Sequence, residues 1–267
     1  RAIMQLESVT SGSIRLNGVD LAAEQGEQLR QARKAMQMIF QDPVSSLNPS
    51  RRVREIVREG IDIWGQTREG DVDAWVAEVM ESVGLGDEDV ADRRPHEFSG
   101  GQCQRINIAR ALVMEPDVLI LDEPVSALDV SVQAQILNLL EGLKRQFGLT
   151  MLFISHDLAV VKNISDRVMV MYLGKVCEIA ETADLFSRPT HPYSRALLAS
   201  IPGNTLGLPQ ASELISGELP SPLNPPSGCR FRTRCPHATD VCTSTEPELV
   251  EHEPGHWVAC HHPSVNA

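Results

Sequence analysis

In Val118-Leu119-Ile120-Leu121-Asp122-Glu123-Pro124, four apolar residues run straight into two carboxylates and a proline. An unbroken apolar run this short, bounded by polar residues, predicts a strand buried on both faces of a parallel sheet. Met151-Leu152-Phe153-Ile154 repeats the pattern, and the periodicity between Val132 and Phe147 predicts the helix of a strand–helix–strand crossover. A third strand is expected at Val168 to Tyr172, just before Leu173-Gly174. Carboxylates at the carboxyl end of a buried parallel strand sit where open α/β sheets bind ligands.

Upstream, Met36 to Phe40 reads as another apolar strand, preceded by a charged helix near Glu24 to Ala35. Ser13-Ile14-Arg15-Leu16 alternates like a short strand and ends in the turn pair Asn17-Gly18. Ala2 to Leu6 looks like the tail of a helix, and an opening on Arg1 suggests a fragment. Residues from about 44 to 114 change character. Val53, Ile56, Val57 and Ile61, then Val76, Val79, Met80 and Val83, recur at three- and four-residue spacing, which predicts an amphipathic helical subdomain. From about Ser200 onward Pro202, Pro209, Pro220, Pro222, Pro225 and Pro226 predict an irregular extension that holds four of the six cysteines. The expected division is therefore residues 1–199 and 200–267.

The chain has 267 residues, 42% hydrophobic and 22% charged, enough apolar side chain to build a core. Its net charge of −12 disfavours a nucleic-acid partner. No stretch approaches the roughly 18 consecutive apolar residues of a spanning helix, and the N-terminus lacks the pattern of an export signal. A cytoplasmic chain is the expectation, with any membrane role exercised through a partner.

Chemistry concentrates at five places. Asp122 can hold Mg²⁺ while Glu123 polarises an attacking water; alone, the pair also reads as a solvated strand exit. Phe98-Ser99-Gly100-Gly101-Gln102 runs into a helix at Gln104 to Met114, with Ser99 as N-cap and two glycines that let backbone approach a phosphate. Ser126-Ala127-Leu128-Asp129 follows the carboxylates, and Ser155-His156-Asp157 closes the next strand, where the imidazole falls beside them. Gln41 ends the strand Met38-Ile39-Phe40 as a neutral donor and acceptor suited to water and Mg²⁺.

In this order and spacing, Gln41, Ser99 to Gln102, Asp122-Glu123, Ser126 to Asp129 and His156 resemble the Q-loop, signature, Walker B, D-loop and H-loop of an ABC-transporter ATPase. Phe40-Gln41-Asp42-Pro43 continuing to Ser46-Leu47-Asn48-Pro49, His191-Pro192-Tyr193, and Ser216-Gly217-Glu218-Leu219-Pro220-Ser221-Pro222 narrow the resemblance to the ATPase subunits of bacterial dipeptide and oligopeptide importers. The resemblance implies a P-loop ATPase core with a mostly parallel sheet, an inserted helical subdomain and a Cys/Pro-rich extension. It also implies ATP and Mg²⁺ as ligands, with Glu123, His156 and Gln41 catalytic, Asp122 and Gln41 on the metal, and Ser99, Gly100, Gly101, Gln102 and Asp129 on nucleotide. The implied partners are a second ATPase subunit, identical or different, two membrane permeases and, indirectly, an extracytoplasmic solute-binding protein. The implied location is the cytoplasmic face of the bacterial inner membrane. A soluble ABC-type ATPase outside transport, or a non-catalytic form that keeps only a partner interface, are the rival readings.

Two departures stand out. The phosphate loop Gly-x-x-x-x-Gly-Lys-[Ser/Thr] does not occur; the only Gly-Lys pair, Gly174-Lys175, precedes Val176. The resemblance places that loop just upstream of Arg1, so truncation is the expectation, and with it a chain that neither binds nor hydrolyses ATP alone. Cys103 stands where the family usually carries a basic residue, with a mild effect expected from a solvent-facing thiol. Cys229, Cys235, Cys242 and Cys260 are separated by gaps unlike those of common zinc sites. Four thiolates in an irregular loop suit a four-iron cluster, which some importer ATPases resembling this segment carry. Zinc, with His237, His256 or His261, and free thiols are the alternatives, while Cys177, on a strand exit, and Cys103 lie outside the cluster.

Overall fold

The computed structural model describes residues 1–65, 70–201 and 215–263. They form two compact units, Arg1–His156 and Asp157–Ala267. Pro202 and Pro209, on which part of the extension reading rests, lie outside the described residues.

The first unit is built on a three-stranded parallel sheet of β3 (Met36–Ile39), β4 (Val118–Asp122) and β5 (Thr150–Ile154), with β4 in the middle. Register runs Ile39 opposite Leu121 and Leu121 opposite Phe153, so all three strands end at one level. β4 fulfils the two-sided burial its run predicts: Leu119, Ile120 and Leu121 are buried. β5 does not, because it lies at the sheet's edge and leaves Leu152 and Ile154 exposed. Helix α6 (Val130–Phe147) supplies the crossover and stops at Gly148, whose φ of +63° suits a residue without Cβ. At the start, a small antiparallel pair, β1 (Arg15–Leu16) and β2 (Val19–Asp20), turns through Asn17-Gly18, both at positive φ, and α1 (Gly26–Ala32) follows. The helix expected at Ala2 to Leu6 is absent. Those residues form turns, with Gln5 in the left-handed region at φ +52° and its carbonyl held by the Arg33 guanidinium.

The helical part contains α2 (Val53–Trp64), α3 (Val72–Ser82), the short α4 (Glu88–Asp92) and α5 (Gly100–Leu112). Val53, Ile56, Val57 and Ile61 of α2 are all buried, as are Trp75, Val76, Val79 and Met80 of α3, which confirms the apolar stripes read from spacing. Trp75 donates from Nε1 to the Val113 carbonyl at 3.1 Å and meets Phe147 edge-on.

The second unit opens with α7 (Leu158–Ile164) and then a hairpin of β6 (Arg167–Tyr172) and β7 (Lys175–Glu181), turning at Leu173 and Gly174, both at positive φ as a tight hairpin requires. α8 (Thr182–Ser187) and α9 (Pro192–Ala199) come next. The extension is less irregular than its prolines suggest. It forms a short helix α10 (Asp240–Ser244) and a hairpin, β8 (Val250–Glu253) and β9 (His256–Val258), whose β9 pairs with β7 to give the antiparallel order β6-β7-β9-β8. At its centre Tyr172, Tyr193 and Phe231 pack ring against ring.

Candidate functional site

The carboxyl ends of the three parallel strands bring the predicted residues together. Gln41 lies two residues past β3, Asp122 ends β4 with Glu123 next, and His156 lies two past β5. Gln41 donates from Nε2 to one Glu123 oxygen at 2.8 Å, and His156 Nδ1 meets the other at 2.9 Å. A carboxylate accepts and does not donate, so the proton of that contact sits on Nδ1. The Glu123 side chain is 25% exposed and that of His156 74%, so the pair faces solvent while the carboxylate is half sheltered.

Glu123 has a φ of +48°, a region a non-glycine residue enters only when its surroundings hold it there. Three contacts do so: its N–H donates to the Ile154 carbonyl at 3.0 Å, and its own carbonyl accepts from Ser126 N–H at 3.2 Å and Ser126 Oγ at 3.0 Å. Beside Gln41, Asp42 accepts the N–H groups of Val44 and Ser45, which hold its carboxyl below the usual carboxylate range, those of Ser45 foremost.

Ser99 caps α5 in a reciprocal box: its hydroxyl accepts from Gln102 N–H at 3.4 Å, and Gln102 Oε1 accepts from Ser99 N–H at 3.0 Å. Gly101 lies against α6, where an added Cβ would sit 2.5 Å from Val132 Cγ1, and Gly100 faces Leu128. The glycine turn is thus seated on the segment that ends at Asp129, the N-cap residue of α6. Glu123, Gln41 and His156 form one group by direct contact, and Ser99 to Gln102 with the 126–129 segment form a second.

Cys103 is not solvent-facing. It is fully buried, its Sγ 3.6 Å from the Pro95 carbonyl, and burial pushes its thiol pKa up. It occupies a core position of α5, so no exposed charge is lost there. Sequence reading also passed over Gln104, Asn107 and Arg110, three polar residues at three-residue spacing on that helix. Gln104 donates to the Pro124 carbonyl at 2.8 Å, Asn107 to the Pro43 carbonyl at 2.8 Å and Arg110 to the Ser46 carbonyl at 2.6 Å. Polar residues recurring on one side of a helix otherwise rich in Ile, Ala and Leu were the available signal.

The four-iron and zinc expectations find no support in the structure. Among the described residues no group of three or more His, Cys, Asp or Glu side chains is arranged to hold a metal ion. Cys229, Cys235, Cys242 and Cys260 neighbour one another closely enough for their fields to interact, and none is in a disulfide; burial raises the pKa of Cys229 and Cys235 and pushes Cys260 up to about 12. Cys177 lies inside β7 rather than at a strand exit, and burial first, then the field of Cys229, pushes it up to about 12 as well. Of the histidines weighed as zinc ligands, His256 donates from Nε2 to the buried Glu178 at 2.6 Å and His261 donates to the Thr245 carbonyl at 2.9 Å, so both are already engaged.

The ABC transporter family model matches residues 1–126, and that of the oligopeptide/dipeptide transporter C-terminal region matches residues 177–242. A Brucella ovis protein named for peptide import ATP binding is 51% identical over 260 residues, spanning 97% of this chain and 82% of its own length. The chain belongs to the ATP-binding subunits of ABC transporters, in the oligopeptide and dipeptide importer family. Other members include the oligopeptide transport ATP-binding protein OppF of Haemophilus influenzae, 48% identical over 97% of this chain and 79% of OppF. AppF of Bacillus subtilis is likewise 48% identical, over 98% of this chain and 80% of AppF. Among solved structures, cbiO1 from Clostridium perfringens, part of the ABC transporter complex cbiONQ, aligns with a TM-score of 0.61 and 27% identity over 70% of this chain and 72% of its own. ABC ATP-binding subunits are ATP-hydrolysing enzymes, and the parallel sheet with its helical insertion fits the ABC ATPase fold.

Proposed function

We propose that this subunit hydrolyses Mg-ATP to energise uptake of peptides, with Glu123 as the base at the reacting centre. The observation that carries the reading is the Glu123 carboxylate held by Gln41 on one oxygen and His156 on the other, at the carboxyl edge of three parallel strands. A carboxylate fixed at both oxygens is aimed before substrate arrives. It takes a proton from the attacking water as that oxygen bonds the γ-phosphorus and the bond to ADP breaks. His156 lies near the γ-phosphate. Gln41 carries the nucleotide state to the permease, through the loop that follows it.

Magnesium suits the donor set. The ion takes few protein ligands and fills its octahedron with phosphate and water, so Asp122 and the amide oxygen of Gln41 are the residues that would hold it. Mg²⁺ supplies charge neutralisation on the phosphates when bound. Ser99 to Gln102 and Asp129 serve the nucleotide held by a second ATPase subunit, identical or different. Two permeases, fed by an extracytoplasmic solute-binding protein, complete the assembly at the cytoplasmic face of the inner membrane, and nucleic acid is no partner of a chain with net charge −12. Residues 1–199 serve as the ATPase part and 200–267 as the importer-type extension.

The transporter complex isolated with the natural gene product should hydrolyse Mg-ATP faster when a peptide-loaded binding protein is added. Stimulation by another solute class and not by peptides would overturn the substrate assignment. The 267 residues carry no Gly-x-x-x-x-Gly-Lys-[Ser/Thr] loop to cradle the phosphates. The purified chain tested by itself should therefore turn over no Mg-ATP, and measurable turnover would refute that.

A further inference from the structure

Helix α5 begins at the capped turn Ser99–Gln102 and then places three polar side chains inward. Gln104 and Asn107 are buried, with 0% and 2% exposure, and Arg110 is partly so. Their targets are main-chain carbonyls in two loops. Gln104 reaches Pro124, the residue after Glu123; Asn107 and Arg110 reach Pro43 and Ser46, in the loop after Gln41. The helix that bears the glycine turn therefore grips the chain just beyond both ends of the Gln41–Glu123 hydrogen bond.

The Gln104 contact matters most because of what it holds. Glu123 sits at positive φ directly before a proline, an arrangement the backbone does not favour by itself. Pro124 brings no N–H, so its carbonyl is the group by which that residue can be fixed, and Gln104 is the donor that fixes it. A fully buried amide bonded to a carbonyl has no water to replace a lost partner.

We propose that Gln104 is a positioning residue for Glu123, so that displacement of the glycine turn is passed through α5 to the carboxylate. This rests on the reading of Glu123 as the base. The test is Gln104→Met, which keeps length and volume but removes the donor, introduced into the natural gene product and assayed in the isolated transporter complex. The expected result is a fall in kcat of about 10- to 100-fold, with KM for ATP within about twofold, and no further loss when Gln104→Met is added to Glu123→Gln. Amide hydrogen exchange on the isolated chain gives a readout independent of turnover: residues 123–128 should exchange faster in Gln104→Met, while β4 and α5 keep their protection. Wild-type kcat, a rise in KM matching the loss of rate, or exchange accelerated evenly across the unit would each overturn the proposal. If Glu123→Gln alone leaves kcat intact, the reading of Glu123 fails instead, and exchange at 123–128 still decides whether Gln104 holds the loop.

Discussion

His191 is the buried residue whose protonation has the clearest cost. It is 2% exposed, and burial pushes its pKa down to about 4 against the opposing field of Glu178. Its Nδ1 accepts the Tyr193 N–H at 3.0 Å and so caps α9, a bond that a doubly protonated ring cannot make. The unfolded chain, with this ring near its ordinary 6.5, binds more protons than the folded one between pH 6.5 and 4. Stability contributed by neutral His191 is therefore complete above that window and lost as pH falls through it, by about 3 kcal/mol at the lower end. Urea unfolding of His191→Asn, which keeps a capping acceptor, should show a shallower decline of stability between pH 6.5 and 4 than the parent. Equal slopes would contradict this assignment. None of this was visible in His191-Pro192-Tyr193 as a sequence, where the motif marked kinship and said nothing of burial.

Among the elements, α3 offers the cleanest single test. Trp75 buries its ring on α5's end and Phe147, and its one polar atom finds the Val113 carbonyl. Trp75→Phe removes that donor and strands a buried acceptor, so thermal or urea unfolding should report a loss of about 1 to 2 kcal/mol without change in the fold. An unchanged midpoint would show the bond to be replaceable. The same elements show what sequence can and cannot carry. β4 and the stripes of α2 and α3 were legible because periodicity and burial report the same thing. β5 was legible as a strand but not as an edge strand, since neighbours in a sheet are not written in a run's composition. β8 and β9 were missed because each is short and β8 is exposed along its whole length, although Pro254-Gly255, with glycine at φ +77°, marks their turn. The contact of Glu178 with His256, 78 residues apart, joins β7 to β9 and has no local signature at all.

For the molecule as a whole, the family and the fold class were both legible in the sequence. Gln41, Glu123 and His156 are far apart in sequence, yet parallel strands ending at one level leave few other places for them to meet. The spacing of Gln104, Asn107 and Arg110 was readable, but their partners were not, because these are backbone carbonyls, which every residue has. The cysteines suggested a metal by their proximity in sequence, and no group among the described residues supports one. No helix of the described residues is long and apolar enough to cross a membrane. What remains to be tested is whether the carboxylate between Gln41 and His156 does the chemistry. In the transporter complex isolated with the natural gene product, Glu123→Gln preserves shape and removes the base, and steady-state Mg-ATP hydrolysis should fall by about 100-fold or more while ATP still binds. Hydrolysis at the parent rate would contradict the account.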